Sequence, residues 1–581
     1  MTAYLSNADT TNQTQARPGD ALPTRHVLIA FAVLFALNLL LRVFYLRYDF
    51  VSGDEGVRAL TAVRLLEGAR LYADIVTDKP PGTTVFYATV FSLFGRSMTA
   101  VHLAATVWNF ATAIVVYLTA EFVYNRRAGL LAALFLIYFS TNYMTQDMMA
   151  ANTELLMVLP YTAAFYFFVR ASMPGNKAGR TIWLNLFIAG VMTGIATLFK
   201  QVGIFNLAFF AMYEVFAAYT TWQGAGSNRG AWLKHRLRSS LFRLSLIAAG
   251  FALPLALFAL WLVSQGTFSD FWRNAVELNL FYIGSVPRNL WFKYLVGRTL
   301  SYIFFNASLF CLAIWAIFYA IKRFHTDRQN KGEKDQSVQT AQVGADLIVA
   351  LWAGASFAAV FPGGRFFGHY FIQLLPALCL LGARGVKLLL EQISTYEYKR
   401  RAQIVAGVLL LLFTVGFVRF HQRTAILAYE TLTGINTGRT DRWGMTERER
   451  EAEIISRDVG SRLSEGEALY IWDYALDIYW RTRCRPASRY LTPYYITGKF
   501  TDAADRAVAP DVDFFREARQ HLIEDLQRER PRLILDVFGT LHTLPYPEIT
   551  NYVKKNYRRA GNMGVNSSRA FVVYELKESK D

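Results

Sequence analysis

The sequence predicts a polytopic α-helical membrane protein with a small α/β domain after its last span. Three observations carry this. Hydrophobic residues make up 53% of the 581 positions and the mean hydropathy is positive, too apolar for a soluble chain of this size. The apolar residues gather in recurrent runs near the roughly 20 residues that a helix needs to cross a bilayer. Lys and Arg concentrate in alternate short loops between those runs, so the formal charge of +17 reads as a topology signal and not as a nucleic-acid footprint.

The elements follow in order. Residues 1–24 are polar and lack the basic segment and small-residue cleavage site of a signal peptide, which predicts a cytoplasmic N-terminal tail before a retained helix. Spans are expected at 26–46, 99–120, 128–145, 154–170, 181–199, 203–220, 241–264, 299–321, 346–361, 370–388 and 402–419, about eleven in all. The apolar stretch 83–95 is too short to cross and reads as interfacial or re-entrant. Basic loops hold Arg126 and Arg127, then Arg170, Lys177 and Arg180, then Lys234, Arg236, Arg238 and Arg243, then Lys322, Arg323, Lys331 and Lys334, then Lys399, Arg400 and Arg401. Placing all of them inside puts the N-terminus in the cytoplasm. The first loop (47–98), the turns near 146–153 and 200–202, loops 265–298 and 362–369, and the tail then fall outside. Residues 324–343 read as a flexible cytoplasmic connector. The transmembrane unit is expected over 25–420 and an extracytoplasmic α/β domain over 421–581. In that domain Met445–Leu463 reads as an amphipathic helix with a Thr446/Glu449 capping box. Strands are expected at Ala468–Trp472, Arg532–Val537 and Ala570–Leu576, with a helix over 511–527. Cys311 and Cys379 lie in apolar runs and Cys484 in the tail, which offers no disulfide framework or CxxC metal site.

The stretch SGDEGVRALTAVRLLEGARLYADIVTDKPPG (Ser52–Gly82) directly follows the first span and carries unusual mixed charge. Asp54 and Arg58 are four apart and share a helix face. Pro80 disfavours helical backbone at Lys79, and Pro80-Pro81-Gly82 bends the chain. A carboxylate beside fixed cations at a lipid interface suits chemistry on a lipid phosphate. A solvated interfacial helix whose charges satisfy one another suits the composition equally. The other outer helix ends add Asp147, Asn152 and Glu154, then Lys200 and Gln201, then Arg365, His369 and Tyr370. Each alone reads as a helix-end anchor. Together, on one side of the membrane, they point to a shared cavity.

These residues carry a resemblance. DEG (54–56), LYAD before DKPPG (71–82), RRAGLLAALF (126–135), ANTELL (151–156), FKQ (199–201) and GRFFGHYFIQLLPALCLL (364–381) resemble the membrane glycosyltransferases of the C-type fold. The likeness is to the superfamily of protein O-mannosyltransferases and lipid A aminoarabinose transferases. It spans about 24–420. It implies an inverting glycosyltransferase that takes a hexose or pentose from a polyprenyl-phosphate donor on the outer face of a plasma membrane, for a protein, lipid or cell-envelope glycan acceptor. It also implies Asp54 as the catalytic base with Glu55 supporting its loop. Arg58, Lys79, Lys200 and Arg365 would hold the donor phosphate, and Asp78, Asn152, Glu154, His369 and Tyr370 would line the cavity. A lipid phosphate leaves readily once cations neutralise it, so no general acid is needed. A divalent cation (Mg or Mn) held by Asp54 and Glu154 is compatible with the sequence and not required by it. Leu198-Phe199-Lys200-Gln201 and the short DKPPG loop depart from the aminoarabinose branch, which leaves sugar and acceptor open. The alternatives are a ligase using a diphosphate-linked glycan and a transporter or flippase for a lipid-linked glycan. A transporter would carry paired interrupted spans and charges near the midplane.

Overall fold

The computed structural model describes residues 23–173, 179–222, 229–329, 337–395, 399–439, 445–498, 512–537, 539–564 and 571–578. Residues 1–22 of the expected N-terminal tail and 330–336 of the 324–343 connector lie outside the described residues, as does the side chain of Thr446; the rest of that connector is helical, because it extends the helices Ala307–Gln329 and Ser337–Ala358 on either side. Among the described residues nine helices are long and apolar enough to cross a membrane. They run over 24–45, 98–123, 153–172, 180–199, 201–220, 229–265, 307–326, 368–394 and 399–433. The two remaining expected spans also form helices, Arg126–Phe139 and Ser337–Ala358; the first is only 14 residues long. Residues 82–94 form a 13-residue helix, too short to cross.

Large apolar side chains point outward along these helices, among them Leu257, Leu260, Val263, Leu410, Leu411 and Val418. On a soluble protein such a surface would be an aggregation site; here it is the face that meets lipid. One expected span is displaced. The run 299–321 is divided at Asn306, between helix Arg288–Phe305 and helix Ala307–Gln329. Asn306 is fully buried, and its side-chain amide donates to the Tyr302 carbonyl while its carbonyl oxygen accepts from Asn142. These bonds hold the break that hydropathy alone cannot see.

The C-terminal domain is built on a five-stranded sheet of order β2-β1-β3-β5-β4. The strands are β1 (Ala468–Trp472), β2 (Arg485–Pro486), β3 (Leu533–Val537), β4 (Tyr557–Met563) and β5 (Phe571–Leu576). β1 pairs in parallel with β2 and β3, while β5 runs antiparallel to β3 and β4. The period-2 alternation of β1 and β3 sends Tyr470, Trp472 and Ile534 to one face, against helices Asp513–Glu529 and Pro547–Asn556. Leu469, Ile471, Leu533 and Leu535 face the other way and join the apolar core that continues into the helical bundle. Phe50 and Phe91 pack at a tilt against Trp480, and Arg96 donates to the Tyr479 and Trp480 carbonyls. The domain is therefore docked on the first loop through buried apolar and polar contacts.

Candidate active site

Helix Gly53–Leu66 begins with a complete capping box, Ser52 bonding forward and Glu55 bonding back to its own N-terminus. Asp54 and Glu55 sit in its first turn, where the helix dipole favours negative charge. The two acids then diverge. Glu55 is fully buried and accepts from the backbone N–H of Val51 (2.7 Å) and Ala151 (2.6 Å), with His102 Nε2 at 3.0 Å. It ties the first loop to the turn before helix Thr153–Ser172 and does not line the cavity. Asp54 faces open space and accepts a hydrogen bond from the Tyr474 hydroxyl at 2.9 Å.

One turn on, Arg58 donates to Thr77 at 2.7 Å and lies 3.4 Å from Asp78 Oδ1. Asp78 also pairs with Lys79. Burial works to raise the Asp78 carboxyl, but Lys79 and Arg58 outweigh it and hold it well below the usual carboxylate range. Arg58 shows the converse balance: burial opposes its charge, and Asp78 and Asp54 more than restore it. Asn279 donates to the Asp78 carbonyl at 2.6 Å and fixes the turn from the side of loop 265–298.

The Pro-Pro-Gly bend then brings this pair to a second one. A Cβ at Gly82 would stand 2.7 Å from the Leu198 carbonyl oxygen, so only glycine lets the bend press against the end of helix Arg180–Phe199. Lys200 follows at once. It pairs with Glu154, at the start of helix Thr153–Ser172, and sits 4.0 Å from the centre of the Tyr370 ring. Thr153 donates to the other Glu154 oxygen at 2.8 Å, and His369 Nε2 is 3.7 Å from the first. His369 Nδ1 lies 2.6 Å from Asp147. Arg365 is buried against Tyr282, stacked 3.8 Å from its ring and donating to its carbonyl at 3.3 Å.

One cavity of about 130 Å³ is lined by Asp54, Arg58, Asp78, Lys79, Glu154, Lys200, Arg365, His369 and Tyr370. It opens at the end of the bundle that carries the soluble domain, and Tyr474 and Tyr494 of that domain complete its wall with Asn279, Tyr282 and Phe367. Asn152 is the one cavity candidate besides Glu55 left outside; it bonds to the Gln146 carbonyl beside the helix cap. The tyrosines from the tail escaped the sequence reading. Their only signal is the aromatic density of IWDY and PYYIT, which does not by itself specify a cavity.

The charges in this cavity are arranged unevenly. Asp78 and Glu154 are both neutralised by neighbouring cations, whereas among the described residues no ion pair engages Asp54. No three His, Cys, Asp or Glu side chains converge as a metal-ligand set among the described residues. Glu154 is already engaged by Lys200 and Thr153, so Asp54 and Glu154 offer no open pair of carboxylates to a divalent cation.

The fold is that of the C-type membrane glycosyltransferases. The family model described as dolichyl-phosphate-mannose-protein mannosyltransferase matches residues 78–235, a stretch that includes Asp78, Lys79, Glu154 and Lys200. ArnT from Cupriavidus metallidurans in the apo state is similar over 95% of this chain and 98% of its own, at 16% identity and a TM-score of 0.54. The same protein bound to undecaprenyl phosphate is similar over 96% and 99%, at 13% identity and a TM-score of 0.53. The oligosaccharyltransferase AglB from Archaeoglobus fulgidus gives a TM-score of 0.49 at 12% identity, over 96% of this chain and 74% of its own. No curated protein matches the chain by sequence.

Proposed function

We propose that the protein is an inverting glycosyltransferase that moves a sugar from a polyprenyl-phosphate donor to a hydroxyl acceptor at the extracytoplasmic face of a cell membrane. The observation that carries this reading is the meeting of Asp54, a carboxylate without an ion pair among the described residues, with Arg58, Lys79, Lys200 and Arg365 in one cavity. Inversion needs a base on one side of the anomeric carbon and a stabilised leaving group on the other. The acceptor oxygen attacks the anomeric carbon, its proton passes to Asp54, and the bond from that carbon to the phosphate oxygen breaks. The electron pair stays on the lipid phosphate, whose new charge the four cations balance.

Counting the cavity's fixed charges also favours one phosphate. Arg58, Lys79, Lys200 and Arg365 outnumber Asp54, Asp78 and Glu154 by one positive charge before His369 is counted. That suits a monophosphate gaining a single charge on departure better than a diphosphate. The undecaprenyl phosphate named in the ArnT structure supports the same lipid class. The cationic loops at the opposite end of the bundle support an outward-facing cavity. A transporter or flippase reading lacks a comparable observation, because the charges cluster at one end of the helices and not at their middle. The role of the docked domain is to close the cavity over donor and acceptor.

The test is a panel of radiolabelled undecaprenyl-phosphate-linked hexoses and pentoses given to membranes holding the wild type or Asp54→Asn. Label should reach a new product with the wild type and stay on the lipid with Asp54→Asn. Equal transfer by both, or lipid translocation without cleavage of the sugar–phosphate bond, overturns the proposal.

A further inference from the structure

The soluble domain reaches the carboxylate at the centre of the site through one side chain. Tyr474 lies on the short link between β1 and helix Leu476–Thr482, and its hydroxyl donates to Asp54 Oδ1 at 2.9 Å. Among the described residues it is the only side chain that donates to that carboxylate. The ring rests on Gly53: a Cβ there would stand 2.4 Å from Tyr474 Cε1 and 3.0 Å from Cδ1. A Cβ at Gly56 would likewise stand 2.8 Å from Leu476 Cβ. The glycines that flank Asp54 and Glu55 are thus the cleared floor on which residues 474–476 sit.

That link is held from several directions. Arg481 lies 2.7 Å from Asp49, and Arg448 lies 3.2 Å from Asp477. Arg96 binds the carbonyls of Tyr479 and Trp480. With ring and link both fixed, the phenol is aimed and does not wander. Burial, aided by the Asp54 charge, pushes the Tyr474 hydroxyl well above its ordinary pKa, so at neutral pH it donates and never competes as a second anion.

We propose that Tyr474 is a positioning residue for the transfer: it occupies one oxygen of Asp54 and turns the other toward the acceptor hydroxyl. The inference rests on the reading of Asp54 as the base. It makes the docked domain part of the catalytic geometry, so that the base is oriented only while that domain is in place.

Tyr474→Phe keeps the ring on Gly53 and removes only the donor. It is compared with wild type and Asp54→Asn in two measurements on the purified full chain. The first is initial rate against the concentration of whichever undecaprenyl-phosphate sugar labels product in the panel above. Tyr474→Phe should lower kcat about tenfold with the donor KM within about twofold, as expected when an interaction that serves the transition state is lost. An unchanged kcat, or a loss confined to KM, overturns the proposal. If Asp54→Asn keeps transfer, the base reading fails instead, and the two failures are distinct. The second measurement is a thermal-melt cycle of Tyr474→Phe, Asp54→Asn and the double variant, which needs no donor. The shifts should be non-additive, because Tyr474→Phe removes the bond that Asp54→Asn weakens by taking away the charge on its acceptor. Additive shifts overturn the proposal whatever sugar the protein takes.

Discussion

Substitution of the two cavity lysines by methionine should separate function from folding, because their partners are placed differently. Losing Lys79 leaves Asp78 with Arg58 at 3.4 Å, so no carboxylate is stranded and the melting temperature should hold. What is lost is one positive charge beside the proposed phosphate. At an effective dielectric of about 20 and a separation of roughly 4–8 Å, that charge contributes about 2–4 kcal/mol. A loss of this size lowers kcat/KM by about 30- to 1000-fold. Losing Lys200 strands Glu154, which is 2% exposed and keeps only Thr153 and a His369 nitrogen at 3.7 Å. Breaking such a buried pair costs about 3–5 kcal/mol. Lys200→Met should therefore melt well below both wild type and Lys79→Met, and adding Glu154→Gln should recover much of the loss without restoring transfer. The assay is thermal melting in detergent alongside initial rates against donor concentration. The reasoning is refuted if Lys79→Met melts as low as Lys200→Met, or if Glu154→Gln gives no recovery.

Gly82→Ala should lower both transfer and melting temperature, since its Cβ would meet the Leu198 carbonyl and push Lys79 away from Lys200; unchanged rates would show that the bend can give. Asp147→Asn weakens the bond to His369 Nδ1 and should reduce transfer while leaving the fold intact, read as kcat beside a melt. In the soluble domain, burial raises the Asp536 carboxyl to about 6 despite its bonds from Thr540 and Leu541. A folded value above the unfolded value of about 3.9 means that stability is full below the unfolded value and falls as pH rises through about 6. Amide exchange in β3 should therefore speed up between pH 5 and pH 7.5 beyond its intrinsic rise, and Asp536→Asn should remove the excess. A cysteine at exposed Glu465 should react with a membrane-impermeant maleimide in intact cells once the barrier outside the cell membrane is opened; labelling only after lysis would invert the proposed orientation.

The membrane helices were readable because their signal is local: a run such as 402–419 is apolar whatever it packs against. The boundary at Asn306 was not, since the bonds that hold it come from Tyr302 and from Asn142, far away in sequence. In the tail, β1, β3 and β5 announced themselves through apolar, β-branched runs. β4 did not: YRRAGNM is an edge strand with mostly outward, polar side chains and a glycine at φ +128 beside a register shift. The cavity's charges were legible for a related reason. Asp54, Lys79, Glu154, Lys200 and Arg365 all stand at helix ends, where ionised side chains in an apolar chain are conspicuous. Tyr474 and Tyr494 were hidden, because nothing local tells a tyrosine of a docked domain from one in its core.

The pairing of Asp78 with Arg58 and Lys79, and of Glu154 with Lys200, bears on how a turnover would end. Because carboxylates already compensate these cations, a lipid phosphate bound as proposed would have to displace a carboxylate. Binding becomes an exchange of counter-ions, with less affinity than four bare cations would give. The same carboxylates stay within reach after the sugar has moved. They compete for the cations as the spent lipid phosphate gathers charge, and so favour its departure over inhibition by product.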